Sequence, residues 1–301
     1  MRRQWWVLYL VIGFVVASGV GLAVASPADK TDQGPPSLSP DRNWQIGFTP
    51  SYSSGNYGSN TTSTFFYAPL SIRRLFKDGD VTLVIPFVTA TTDGRATLVG
   101  GNPVRVDNSG PGSSSNAGCS NSGPGKGSCL TGRAQGQKVT TAGIGDIILR
   151  GRYYIIEEKD WIPLIAVTGR LKLPTASASE GLGTGKMDEG VGMEVSKLLG
   201  DKWITFLDGG FNVIGRPDGL SLRNQWWYDV GAGYYVTKYL MTSVYFEEYR
   251  SLVSDSVNIR DLFFGANYTA SAAWRFNGGV TVGVSNGAPD YALSLGTSYR
   301  F

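Results

Sequence analysis

From Trp44 onward the chain alternates between apolar and polar positions. Trp44, Ile46, Phe48 and Tyr52 share one parity, and Gln45, Gly47, Thr49 and Ser51 share the other. A period of two places successive side chains on opposite faces, which predicts a strand. The pattern recurs at Phe66, Ala68, Leu70 and Ile72, and after the turn Lys77 to Asp80 at Val81, Leu83, Ile85 and Phe87. It then stops. From Thr91 to Lys138 the chain is packed with Gly, Ser, Asn and Pro, which is too polar for hydrocarbon and predicts a long exposed loop, here 91–138. Alternation returns at Ile147 to Ile155 and continues through Trp161 to Leu171, Val191 to Val195, Trp203 to Phe211, Tyr228 to Tyr234 and Leu240 to Phe246. Leu262 to Tyr268, Phe276 to Val284 and Tyr291 to Phe301 complete a set of twelve strands.

The connections alternate too. Tight turns at Lys77 to Asp80, Glu157 to Asp160, Leu199 to Lys202, Thr237 to Tyr239 and Thr269 to Ala272 are interleaved with longer polar segments, among them Pro174 to Lys186 and Gly215 to Asn224. Short turns at one end and long loops at the other are the asymmetry of an outer-membrane barrel. The expected fold is therefore all-β: a transmembrane antiparallel up-and-down β-barrel, with both termini on the periplasmic side because the strand number is even. A soluble β-sandwich shares the alternation but leaves the placement of aromatics unexplained. Trp44, Tyr52, Trp161, Trp203, Trp226, Tyr228, Tyr299 and Phe301 sit near strand ends, where they form interfacial girdles in a membrane barrel. The last strand ends on Phe301, resembling the C-terminal signal that barrel-assembly machinery reads.

Composition sharpens this picture in three places. Gly at 41 residues, aromatics at 12% and charge at 17% suit an all-β chain with many turns. The 27 basic and 24 acidic residues leave no polyanion-binding surface, so no nucleic-acid partner is expected. Arg2 and Arg3, an apolar run from Trp5 to Val24 and Ala23-Val24-Ala25 together read as a signal peptide, 1–25, cleaved after Ala25, and no Cys follows for lipid attachment. An uncleaved anchor is the alternative, since the apolar run approaches the roughly 20 residues that span a bilayer. Residues 26–42 form a polar periplasmic linker and 43–301 the barrel. After export, Cys119 and Cys129 meet an oxidising compartment, and a disulfide is the natural reading. Two thiols in a chain without His are a poor metal set, so neither a metal nor another cofactor is expected.

If the apolar parity faces outer-membrane lipid, the opposite parity lines the lumen. That assigns Asp146, Arg150, Arg152, Arg170, Glu194, Asp208, Asp229 and Glu247 to the interior, with Trp227, Tyr235, Tyr245 and Tyr249. Gly190, Gly192, Gly210, Gly231 and Gly233 share this parity and are expected to leave room for water. The charges either pair to plug a narrow barrel or line a polar conduit.

Two segments resemble the family of outer-membrane proteins associated with the meta-cleavage pathway of phenol degradation. They are Gly143-Ile144-Gly145-Asp146-Ile147 running to Arg152-Tyr153, and Leu173-Pro174-Thr175 followed by the Gly-rich Gly181 to Lys186. The resemblance spans Thr141 to Phe301 and implies a transporter-type barrel that admits small hydrophobic or aromatic solutes. Gly145, Asp146, Pro174 and Thr175 are motif positions, and no catalytic residue is implied. Enzymatic outer-membrane barrels rely on His as general base, and this chain has none. Two functions follow: passive uptake or efflux of small solutes, or a structural or surface-interaction barrel with a plugged lumen and a working outer loop.

Overall fold

The computed structural model describes residues 42–106, 138–218 and 220–301. The expected leader, the linker up to residue 41 and the Cys119–Cys129 disulfide lie outside the described residues.

Fourteen segments form one antiparallel sheet that closes on itself. The first strand is β1 (Trp44–Phe48) and β2 (Ser51–Gly55), interrupted at Thr49 and Pro50, where proline lacks a ladder donor. Then follow β3 (Ser63–Phe76) and β4 (Gly79–Thr92). The small hairpin β5 (Ala96–Val99) and β6 (Asn102–Arg105) stands outside the main sheet. The fourth strand is again split, into β7 (Val139–Ile144) and β8 (Ile147–Ile156). The rest are β9 (Leu164–Leu173), β10 (Asp188–Leu199), β11 (Trp203–Val213), β12 (Gln225–Tyr235), β13 (Leu240–Tyr249), β14 (Ile259–Thr269), β15 (Trp274–Gly283) and β16 (Tyr291–Arg300). Merging the two split strands gives the twelve that the alternation predicts. Closure comes from β16 pairing with β1 and β2. The chain's last residue is part of the seam, with Trp44 N donating to Phe301 O at 3.0 Å and Phe301 N to Trp44 O at 2.9 Å.

The outward parity is apolar and uncovered. Leu295 is 71% exposed, Val191 68% and Leu207 56%, whereas the inward neighbours Ile204 and Asp261 are at 0%. That inversion suits lipid outside and a filled interior. Ring pairs mark both rims. Trp203 meets Tyr234 at 4.8 Å and Trp274 meets Tyr299 at 4.9 Å at the short-turn end, and Tyr52 meets Tyr291 at 6.3 Å at the long-loop end.

The expectation of an exposed loop over 91–138 needs correction in its first part. β4 runs on to Thr92, and the β5–β6 hairpin folds inward instead of outward. Ala96, Leu98, Val99, Val104 and Val106 are buried against the inner wall and the neighbouring loops. Five apolar residues scattered among many polar ones vanish in a composition average, yet together they make one buried face. The hairpin turns on Gly100 and Gly101, both at positive φ, as a two-residue primed turn requires.

At the short-turn end the interior is closed as well. Leu164, Ile204, Phe206, Tyr235, Met241, Tyr245 and Phe263 form one cluster across β9 to β14. The glycines expected to leave room for water instead leave room for side chains. A Cβ on Gly210 would lie 2.5 Å from the Trp227 ring, one on Gly192 2.9 Å from it, and Gly231 is filled by Tyr245.

Candidate functional site

The lumenal charges sort into two walls. On β3, β4, β8, β9 and β10 most cations meet acids. Arg73 reaches Asp80 at 2.6 Å, and Arg152 reaches Asp80 at 3.3 Å and Glu194 at 2.7 Å. Lys172, fully buried, lies 2.7 Å from Asp188 and 3.3 Å from Asp146, and donates to Thr184 at 2.8 Å. Arg150 and Arg170 are the exceptions. They sit directly opposite each other across β8 and β9. Arg170 donates to the Gly100 carbonyl at the hairpin tip, 2.7 Å away. Among the described residues Arg150 makes no hydrogen bond or ion pair.

On the other wall the register stacks carboxylates. Glu194 faces Asp208, Asp208 faces Asp229, Asp229 faces Glu247 and Glu247 faces Asp261, one from each of β10 to β14. All five are buried. Like charges directly opposite repel, so this ladder costs stability. Arg152 neutralises Glu194 at one end, and Asp208 accepts from Val195 N at 3.3 Å. Neither oxygen of Asp229 meets a donor among the described residues.

Aromatic rings bracket the ladder on both sides. Phe206, Tyr245 and Phe263 lie toward the short turns, and Trp227 stacks on Tyr249 at 6.4 Å toward the loops. Beside this stack is a lumenal cavity of about 70 Å3, lined by Arg150, Arg152, Arg170, Glu194, Trp227 and Tyr249 among others. Behind it, on the outer face, a groove of about 480 Å3 runs past Val81, Leu149, Leu171, Val191, Phe211 and Val213. Gly151 and Gly169 pair there with no side chain above them, and with Gly190 they belong to the wall of both voids.

The motif positions interlock. Thr175 donates to the Gly145 carbonyl and accepts from Ile147 N, both at 2.9 Å, and Ala176 N donates to Asp146 at 3.0 Å. This clasp sits where β7 and β8 meet with one residue more than β4 offers opposite, a bulge that switches parity between them. Asp146 forms its ion pair with Lys172, at 3.3 Å.

Of the expected interior residues, Asp146, Arg152, Glu194, Asp208, Asp229, Glu247, Trp227 and Tyr235 are buried inside, and Arg150 and Arg170 line the cavity half-buried. Trp227 and Tyr235 are not brought together: Tyr235 belongs to the short-turn cluster. Arg73, Asp80, Asp188 and Asp261 escaped the sequence reading although they carry the lumen parity, a signal that was sufficient to find them.

A family model described as the MetA-pathway of phenol degradation matches residues 78–301. Among solved structures the chain is similar to an outer membrane channel from Pseudomonas putida F1, with 14% identity and TM-score 0.61 over 86% of this chain and 96% of that one. It is also similar to the KdgM porin, with 8% identity and TM-score 0.50 over 85% and 99%. At these identities the likeness is one of fold. No curated protein sequence matches the chain.

Proposed function

This chain belongs to the family of the MetA-pathway of phenol degradation, and from that membership we propose an outer-membrane barrel for passive uptake or efflux of small hydrophobic or aromatic solutes. The long loops face the cell exterior and the short turns and termini face the periplasm, as in barrels of this build. Chemistry on the solute is no part of the reading.

The observation that carries it is the pair of voids that share one stretch of wall. The outer groove is mostly apolar, with Arg150, Arg170 and Glu189 also in its lining, and opens to lipid, and the lumenal cavity behind it presents Trp227 and Tyr249. Gly151 and Gly169 make that wall thin, which gives an apolar solute a short path between bilayer and lumen. The direct test is purified, refolded protein in planar bilayers and in liposomes. Conductance steps altered by a neutral aromatic such as benzyl alcohol, together with its protein-dependent uptake, are the expected result. An electrically silent barrel that passes no solute would overturn it.

One feature favours a second reading, a structural or surface-interaction barrel. The mouth is capped by the hairpin and the short-turn end is filled by an apolar cluster. Under that reading the barrel stays silent, and deleting Asn108 to Gln135 abolishes a surface phenotype without unfolding it.

A further inference from the structure

We propose that Arg150 and Arg170 form a subsite for the carboxylate of an aromatic acid, and that its occupation releases the hairpin tip. The inference rests on the reading of the barrel as a path for aromatic solutes and deepens it by naming a charged class.

Charge matching on the basic wall isolates this pair. Arg73, Arg152 and Lys172 each touch at least one carboxylate within 3.3 Å. Both acids lining the cavity, Asp80 and Glu194, are engaged by Arg152. Among the described residues Arg150 has no acid within ion-pair distance, and Arg170 hydrogen-bonds the Gly100 carbonyl while Asp188 and Asp146 act on it only from beyond ion-pair distance. Two guanidiniums in direct cross-strand register repel each other, and an anion between them removes that cost. Guanidinium forks also match carboxylate geometry.

The neighbours select the rest of the ligand. Trp227 and Tyr249 line the same cavity as stacked rings, which favours a flat aromatic body beside the charge. Size sets a condition. The cavity of about 70 Å3 takes a carboxylate, while a benzene-sized ring occupies a void of about 150 Å3. The missing space lies under the hairpin, whose tip Gly100 is packed against the Arg170 guanidinium. A charge-assisted bond to carboxylate is roughly twice as strong as one to a neutral carbonyl. The ligand therefore displaces Gly100 from Arg170, and the tip withdraws as the ring enters.

Full-length protein in detergent is titrated with sodium benzoate by calorimetry, with benzyl alcohol and acetate as comparators, and the same protein is examined in bilayers. Saturable benzoate binding is expected, at least about tenfold tighter than either comparator, with R150Q weakened by about tenfold or more and R150K retaining binding. Heat-modifiable migration establishes that each variant is folded. Equal benzoate affinity in R150Q, benzyl alcohol binding as tightly as benzoate, or acetate doing so, each overturns the subsite. A wild-type barrel that conducts and passes benzyl alcohol yet binds no benzoate overturns the subsite and leaves the channel standing. A silent barrel that binds benzoate through Arg150 does the reverse.

Discussion

At Lys172 a fully buried ammonium is held between Asp146 and Asp188, and at Asp229 a buried carboxylate has only acids for cross-strand neighbours. The two residues predict opposite responses. Lys172→Met leaves two buried carboxylates facing each other and is expected to cost about 3–5 kcal/mol, the range for breaking a buried pair by removing one partner. Asp229→Asn keeps the volume and removes one ionisable group from the ladder, and is expected to stabilise the barrel by up to about 1 kcal/mol. The temperature at which heat-modifiable migration is lost reads both: it falls for the first variant and rises for the second. Asp229 was legible as an interior residue from parity alone. That no cation pairs with it among the described residues was not, because that depends on which strands carry Arg and Lys around the ring.

Among the elements, the β5–β6 hairpin departs furthest from its sequence. Parity readings work for strands in the wall, since each wall strand has one lipid face and one lumen face. A hairpin inside the mouth has no lipid face, and Ala96 to Val99 is buried at every position. It is held by Arg170 at its tip, by Arg105 donating to the Gly58 carbonyl and by Thr97 donating to the Gly181 carbonyl at 2.7 Å. Replacing Ala96 to Arg105 with a short Gly-Ser link is expected to raise single-channel conductance while leaving the barrel folded, since the hairpin lies outside the closed sheet. Unchanged conductance would mean that the hairpin is no constriction. β7 shows a second limit: its outward residues are Thr140, Ala142 and Ile144, too weak an apolar pattern to mark a strand. The bulge after it gives β7 and β8 opposite parities, so the alternation of β8 does not extend back into β7.

The molecule as a whole is a closed wall around a crowded interior, and its tolerance of charge differs by face. Leu207, outward and mid-strand on β11, is expected to lose about 2–4 kcal/mol on substitution by Arg, the depth-dependent cost of a cation against lipid. The same charge at Ala272, exposed in the β14–β15 turn, is expected to cost almost nothing. Refolding yields into vesicles of the two variants measure the difference. By itself the sequence determined the strand number, the up-and-down order, the face of the wall residues outside β7 and the loop asymmetry, because alternation and turn chemistry are local properties of a few neighbouring residues. Only the tertiary structure decided that Arg150 and Arg170 form no ion pair among the described residues, that five acids align across five strands, and that a polar loop sends its apolar residues into the mouth. Those arrangements join positions far apart in the chain, and they are set by register, ring closure and the space left inside, none of which a local pattern encodes.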